Sequence, residues 1–378
     1  MWDPRYLKRI DFRTVPIVVL LMIITILTII STTSVVHGTV DEIVFSPLVK
    51  NQIRAFALGI IVYLFLICFD YRKLREWTWF FYLGMILLLV GLYFAPQIHN
   101  VRRWYRFPFL PFDIQPSEYA KVVVVISLSW FLEKKMHLVD QFKTFMQASL
   151  IVFLPFALIL KQPDLGTALI LCPIALTIFY FGGVKKKIIR GLMVVAAIVF
   201  GFILLVFLGI LSHEEMRPFF TKFMKEYQYE RLNPDTYHQR AGQTAIALGS
   251  FFGSGFCKSE FTGYNWLPYA YTDSVFPAFA EEFGLVGAFF LLALFFGLIY
   301  FSFQVAIRAR DHFGRLLASG IAIYLAMHVI INMGMMCGFL PITGVPLVLV
   351  SYGGSSVLST MIALGLLQSI YARRFAFS

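Results

Sequence analysis

Long apolar runs alternate with short polar connections along almost the whole chain. A helix needs about 20 apolar residues to cross a bilayer. Runs of that kind fall at roughly 14–33, 53–69, 77–95, 117–133, 144–161, 165–183, 190–212, 275–305, 316–336 and 347–370. The pattern predicts an all-α polytopic membrane protein of about ten transmembrane helices. The run 275–305 is long enough to tilt or to project past one face. One sizeable polar connection, about 212–274, precedes the eighth span. With no linker, low-complexity tract or internal repeat in view, residues 1–378 read as a single transmembrane domain.

Composition excludes the soluble alternative. Hydrophobic residues make up 59% of the chain and charged residues 14%, more apolar side chain than a soluble surface can hide. The net charge of +11 does not point to nucleic acid, because the basic residues form short clusters between apolar runs. Lys and Arg concentrate on the cytoplasmic side of membrane proteins. Arg5, Lys8, Arg9 and Arg13 precede the first span. Every second connection repeats the pattern: Arg72, Lys73 and Arg75; Lys134, Lys135 and Lys143; Lys185, Lys186, Lys187 and Arg190; Arg308, Arg310 and Arg315. Arg373 and Arg374 close the chain. Ten spans with both termini in the cytoplasm fit all six clusters, and 212–274 then becomes a large extracytoplasmic loop. No cleavable signal peptide is visible. Cys68, Cys172, Cys257 and Cys337 are scattered and read as small hydrophobes.

Several polar groups stand where a membrane makes them expensive, which is where function concentrates. Arg102, Arg103 and Arg106 flank Trp104 on the outer side and break the charge pattern. Guanidinium forks suit phosphate oxygens; an interfacial anchor, or an ion pair with Asp113, explains the same cluster. Pro116 suits a helix start, which puts Glu118 and Lys121 on one face, facing a cavity or simply each other. Asp164 lies in a tight connection, either as a polar site residue or as a plain helix cap. Asp273 lies just before a span, near water; it suits a proton acceptor, or a carboxylate favoured by the helix dipole. Glu281 and Glu282 follow within the apolar run and read as structural. Gly338, Pro341, Gly344 and Pro346 interrupt the helical pattern as a re-entrant outer loop would. The small residues Ser351, Gly353, Gly354, Ser355 and Ser356 follow, and close helix packing accounts for the glycines. Phosphate-binding loops, zinc spacings, nucleophile elbows and dinucleotide fingerprints are absent from the sequence.

Five stretches in order, "RRW" with "QPSEYAK", "QPDLGTALI", "HQRAGQTAIALGSFFGSGF", "LPYAYTDSVFPAFAEEFGLVG" and "NMGMMCGFLPITGVPLVLVSYGGSS", resemble the SEDS family of peptidoglycan polymerases. The short termini and "RIDF" look more like its rod-shape branch (RodA) than its division branch (FtsW). The resemblance implies a multi-pass glycosyltransferase of the bacterial cytoplasmic membrane that joins lipid II into glycan strands during cell elongation. It places the essential aspartate on Asp273 and polar cavity residues on Arg103, Glu118, Lys121 and Asp164; Trp104, Ser351 and Ser355 stand beside them as further candidate substrate-binding residues. The chain reads "HNVRRW" where the family has Gly-Ala before "RW", so either Arg102 or Arg103 can be the functional guanidinium. Donor and product linkages of opposite anomeric sense imply an inverting single displacement, with one carboxylate taking the acceptor proton. The leaving pyrophosphate needs cations rather than a proton donor. A divalent cation, magnesium or manganese, would suit the pyrophosphate, although no ligand cluster is visible. The implied partners are lipid II, a class B penicillin-binding protein transpeptidase and other elongation-complex membrane proteins, with no nucleic acid. A lipid II flippase and a non-catalytic scaffold remain as alternatives.

Overall fold

The computed structural model describes residues 2–34, 46–97, 101–107, 112–211, 217–218, 221–222, 226–231, 233 and 236–374. His99 and Asn100 of the basic loop lie outside the described residues. So do 212–216, 219–220, 223–225, 232 and 234–235 of the large loop.

Within the described residues the chain is helical, with isolated β-bridges at Trp2–Phe69 and Tyr105–Ile114. The spanning helices are α1 (Thr14–Ser34), α2 (Pro47–Cys68), α3 (Leu74–Gly91), α4 (Pro116–Lys134), α5 (Phe142–Lys161), α6 (Leu165–Phe181) and α7 (Lys186–Phe207). After α8 (Tyr237–Gly249), which belongs to the large loop, come α9 (Val275–Arg308), α10 (His312–Met336) and α11 (Gly354–Ala372). Among the described residues, eight helices have the length and apolarity of membrane spans. α4, which carries Glu118 and Lys121, and the 17-residue α6 complete the ten expected ones.

Among the departures from the apolar pattern, three have a clear local reason. α2 begins at Pro47, earlier than the apolar run, because Ser46 caps it by accepting from Val49 N at 3.4 Å. Its polar first turns are thereby helical. The last span begins at Gly354 rather than 347; residues 347–353 form turns whose backbone pairs with the loop before α9. The long run 275–308 is broken rather than merely tilted: Gly284 has φ 63° and ψ −164°, a conformation almost reserved for glycine.

That break is held by the large loop. Leu285 N donates to Ser250 O at 2.9 Å and Val286 N to Phe251 O at 3.2 Å, so donors freed by the kink are re-paired. Glu281 accepts from Phe261 N and Thr262 N, both at 3.0 Å, and Glu282 from Cys257 N at 2.6 Å. The two buried glutamates thus organise loop backbone, as their structural reading anticipated.

α10 and α11 are almost wholly enclosed, whereas α7 is exposed along nearly its whole length. A helix apolar on all sides needs no protein cover when lipid solvates it. At one end of the bundle Arg75 forks onto Glu133 at 2.7 and 2.8 Å and reaches Asp311 at 2.7 Å. At the same end Asp11 N donates to Gln368 Oε1 at 2.8 Å, and Arg373 donates to Ile67 O and Cys68 O at 3.0 and 2.8 Å. Both terminal segments therefore share the face carrying the basic clusters, the cytoplasmic one. Arg103, Asp164 and Asp273 gather at the opposite end.

Candidate functional site

Asp273 sits on the turn that delivers the chain into α9. Thr272 N and Ser274 N both donate to Tyr269 O, at 3.0 and 3.1 Å. Behind this turn lies the re-entrant segment 339–353. Tyr352 N donates to Tyr271 O at 2.8 Å, and Ser351 Oγ donates to Thr272 O at 2.7 Å. From α10, Asn332 Nδ2 donates to Asp273 O at 2.9 Å and to Val345 O at 2.7 Å. Gly344, with φ 73°, passes so close that a Cβ there would lie 3.3 Å from Asp273 Oδ2. The carboxylate of Asp273 is therefore fixed through its backbone, and its side chain is half-buried at the outer rim. Burial raises its pKa to about 6; Arg231 and Arg103 pull it down, while Asp164 pushes it up.

The other expected residues divide. Arg103 turns toward the α5–α6 connection, where Nε donates to Gln162 O at 3.0 Å and Nη2 to Pro163 O. Arg102 bonds Tyr93 O at 2.5 Å, and Arg106 forks onto Asp113 at 3.1 Å. The ion pair proposed for the cluster thus belongs to Arg106. Between Arg102 and Arg103, Arg103 is the one whose charge acts on Asp273. Trp104 is half-buried beside it. Asp164 caps α6 by accepting from Thr167 N at 3.3 Å, and its other oxygen accepts from Gln115 Nε2 and Ser117 Oγ at 3.0 and 2.9 Å.

Ser351 and Ser355 both make their hydrogen bonds to backbone. The Ser351 hydroxyl accepts from Leu347 N at 2.7 Å and donates to Thr272 O. The Ser355 hydroxyl accepts from Gln115 N at 2.8 Å and donates to Asp113 O at 2.9 Å. Each hydroxyl has one proton, and that proton is committed to backbone; both serines hold loops in place.

Glu118 and Lys121 meet as their spacing predicts, at 2.8 Å and almost fully buried. Ser359 Oγ lies 3.3 Å from the second Glu118 oxygen, and His328 Nε2 lies 2.8 Å from Lys121 Nζ. The pair forms a sealed network below the Asp273 turn.

Sequence reasoning missed Arg231, Asn332 and His238. Arg231 Nη1 donates to Thr343 O at 3.3 Å, which brings a second guanidinium of the large loop to the site. His238 Nε2 and Ser274 Oγ lie 2.7 Å apart; burial, then Arg231, lower the imidazole pKa. Arg231 carried no local signal, because only folding returns its loop to residue 343. Asn332 stood inside a quoted motif, but its two carbonyl partners come from distant segments.

Among the described residues no three His, Cys, Asp or Glu side chains gather as a metal site. Asp164 already accepts from three donors, and the described residues offer no protein ligand set for magnesium or manganese beside Asp273.

Fold and site together define a multi-pass membrane protein with a charged site at its outer face. The chain belongs to the FtsW/RodA/SpoVE family of cell cycle proteins, which it matches over residues 12–375. It is 32% identical over 338 residues to peptidoglycan glycosyltransferase MrdB of Escherichia coli K12, covering 86% of each chain. It is 30% identical over 390 residues to peptidoglycan glycosyltransferase RodA of Treponema pallidum, covering 86% of this chain and 89% of that one. A chain from a structure describing coordination of polymerization and crosslinking by a peptidoglycan synthase complex superposes with a TM-score of 0.76, at 25% identity, over 97% of this chain and 98% of that one.

Proposed function

We infer that the chain is a peptidoglycan glycosyltransferase of the bacterial inner membrane that polymerises lipid II by an inverting displacement at the outer face. The acceptor sugar hydroxyl attacks the anomeric carbon of the donor as Asp273 takes its proton. The bond from that carbon to the pyrophosphate oxygen breaks, and polyprenyl pyrophosphate leaves. Arg103 and Arg231 supply positive charge for the departing oxygens, and Trp104 sits at headgroup level. Glu118, Lys121 and Asp164 shape the wall beneath. A class B penicillin-binding protein would crosslink the product, and other elongation-complex membrane proteins would join it.

The observation that carries this reading is Asp273 itself. It is a rim carboxylate held by three segments, shifted toward the range of a working base and flanked by two guanidinium groups. A flippase needs no proton acceptor there, and its substrate would have to pass the sealed Glu118–Lys121 pair. Glycan synthesis from lipid II by the purified protein, alone and with a transpeptidase partner, compared with Asp273→Asn, tests the assignment. Transport without polymer, or equal polymer from both proteins, overturns it.

A further inference from the structure

His328 is buried in α10 and absent from the chemistry above, yet it joins the two polar systems of the molecule. Its Nε2 lies 2.8 Å from Lys121 Nζ, and its Nδ1 lies 2.9 Å from Pro346 O. Lys121 Nζ also donates to Glu118 Oε1 at 2.8 Å. An ammonium has three donors and no acceptor. The imidazole Nε2 must therefore accept, and the ring proton sits on Nδ1 and donates to the Pro346 carbonyl. A doubly protonated ring would place two cations in contact.

Four residues along the same helix stands Asn332, on the same face by helical spacing. It holds Val345 O and Asp273 O at 2.7 and 2.9 Å. His328 and Asn332 thus grip consecutive carbonyls of the re-entrant segment, at Pro346 and Val345, and Asn332 also grips the backbone of Asp273. We propose that His328 is a positioning residue: as a neutral Nδ1–H tautomer it bridges the buried Lys121–Glu118 pair to the re-entrant segment and so fixes where Asp273 stands. The proposal rests on Asp273 being the general base. Displacement of a reacting group by about 1 Å is enough to lose roughly 100-fold in rate.

The test is initial-rate polymerisation of lipid II by purified His328→Leu, His328→Gln and Asp273→Asn proteins, with membrane yield and thermal midpoint recorded. His328→Leu fills the space but bridges nothing. It should lower kcat by about 10-fold or more with KM within roughly twofold of wild type, because orientation rather than affinity is lost. His328→Gln offers a carbonyl to Lys121 and an amide N–H to Pro346, and should stay within about threefold of wild type. If the Leu variant fails to insert, His328→Met takes its place. A Leu or Met variant turning over at the wild-type rate overturns the proposal. So does a Gln variant as impaired as the Leu variant, since packing alone would then explain both. Full activity in Asp273→Asn would instead defeat the base assignment, whereas an inactive Asn variant beside a normal His328→Leu would defeat only the positioning role.

Discussion

A carboxylate at the rim of a membrane span titrates according to what surrounds it. Burial lifts the Asp273 pKa to about 6, so with Asp273 as the proposed base the form able to take a proton predominates only above that pH. Polymerisation kcat/KM should then fall about tenfold per unit as pH drops below the pKa, which a pH–rate profile measures. Asp273→Asn should lose roughly 10²–10⁴-fold in turnover with normal membrane yield. Arg103 makes a different prediction. Its Ala variant should weaken lipid II binding by about 10- to 100-fold, and its Lys variant should recover only part, since a point charge lacks the fork geometry. Yield is the control, because Arg103 also holds the carbonyls of Gln162 and Pro163. Removing one member of the Lys121–Glu118 pair leaves a buried charge unmatched and should destabilise by about 3–5 kcal/mol. Thermal unfolding of Lys121→Met, Glu118→Gln and the double variant would show the coupling as partial recovery in the double.

At the scale of elements, the broken helix α9 and the re-entrant segment decide the site. The short first part of α9 carries Glu281 and Glu282 against the loop backbone and sets the entry turn of Asp273. A Cβ at Gly284 would lie 2.4 Å from Gly253 N and 2.6 Å from Phe251 O, on a φ of 63°. Gly284→Ala should therefore destabilise by at least about 1–3 kcal/mol from backbone strain alone. It should lower the thermal midpoint and depress activity without touching a substrate contact. A variant with an unchanged midpoint would mean that the loop follows the helix rather than fixing it.

For the whole molecule, the two ends of the bundle are chemically distinct. One is laced by Arg75, Glu133, Asp311 and Arg373; the other carries Asp273, Arg103 and Arg231. In a cysteine-free background, a cysteine at position 264, where Tyr264 is 60% exposed, should react with an impermeant thiol reagent added to intact cells. A cysteine replacing the exposed Arg310 should react only after permeabilisation. Reversal of that pattern would invert the topology and place Asp273 on the wrong side for an outward site.

Sequence alone determined the spans and their orientation, because bilayer thickness fixes helix length and charge placement fixes direction. It also brought Glu118 to Lys121, because helical spacing is a local property. Asp273 stood out as a carboxylate at the outer edge of a span, and the family resemblance gave it the essential role. Local pattern could not show that Ser351 and Ser355 spend their hydroxyls on backbone, that the long eighth run breaks at Gly284, or that the last helix starts only at Gly354. Those outcomes depend on partners far along the chain. The same is true of Arg231 reaching residue 343, of Asn332 clasping two loops and of His328 linking Lys121 to Pro346. Hydrogen bonds between distant segments exist only once the helices have packed, so the tertiary structure alone decided which polar groups line the site and which merely hold it.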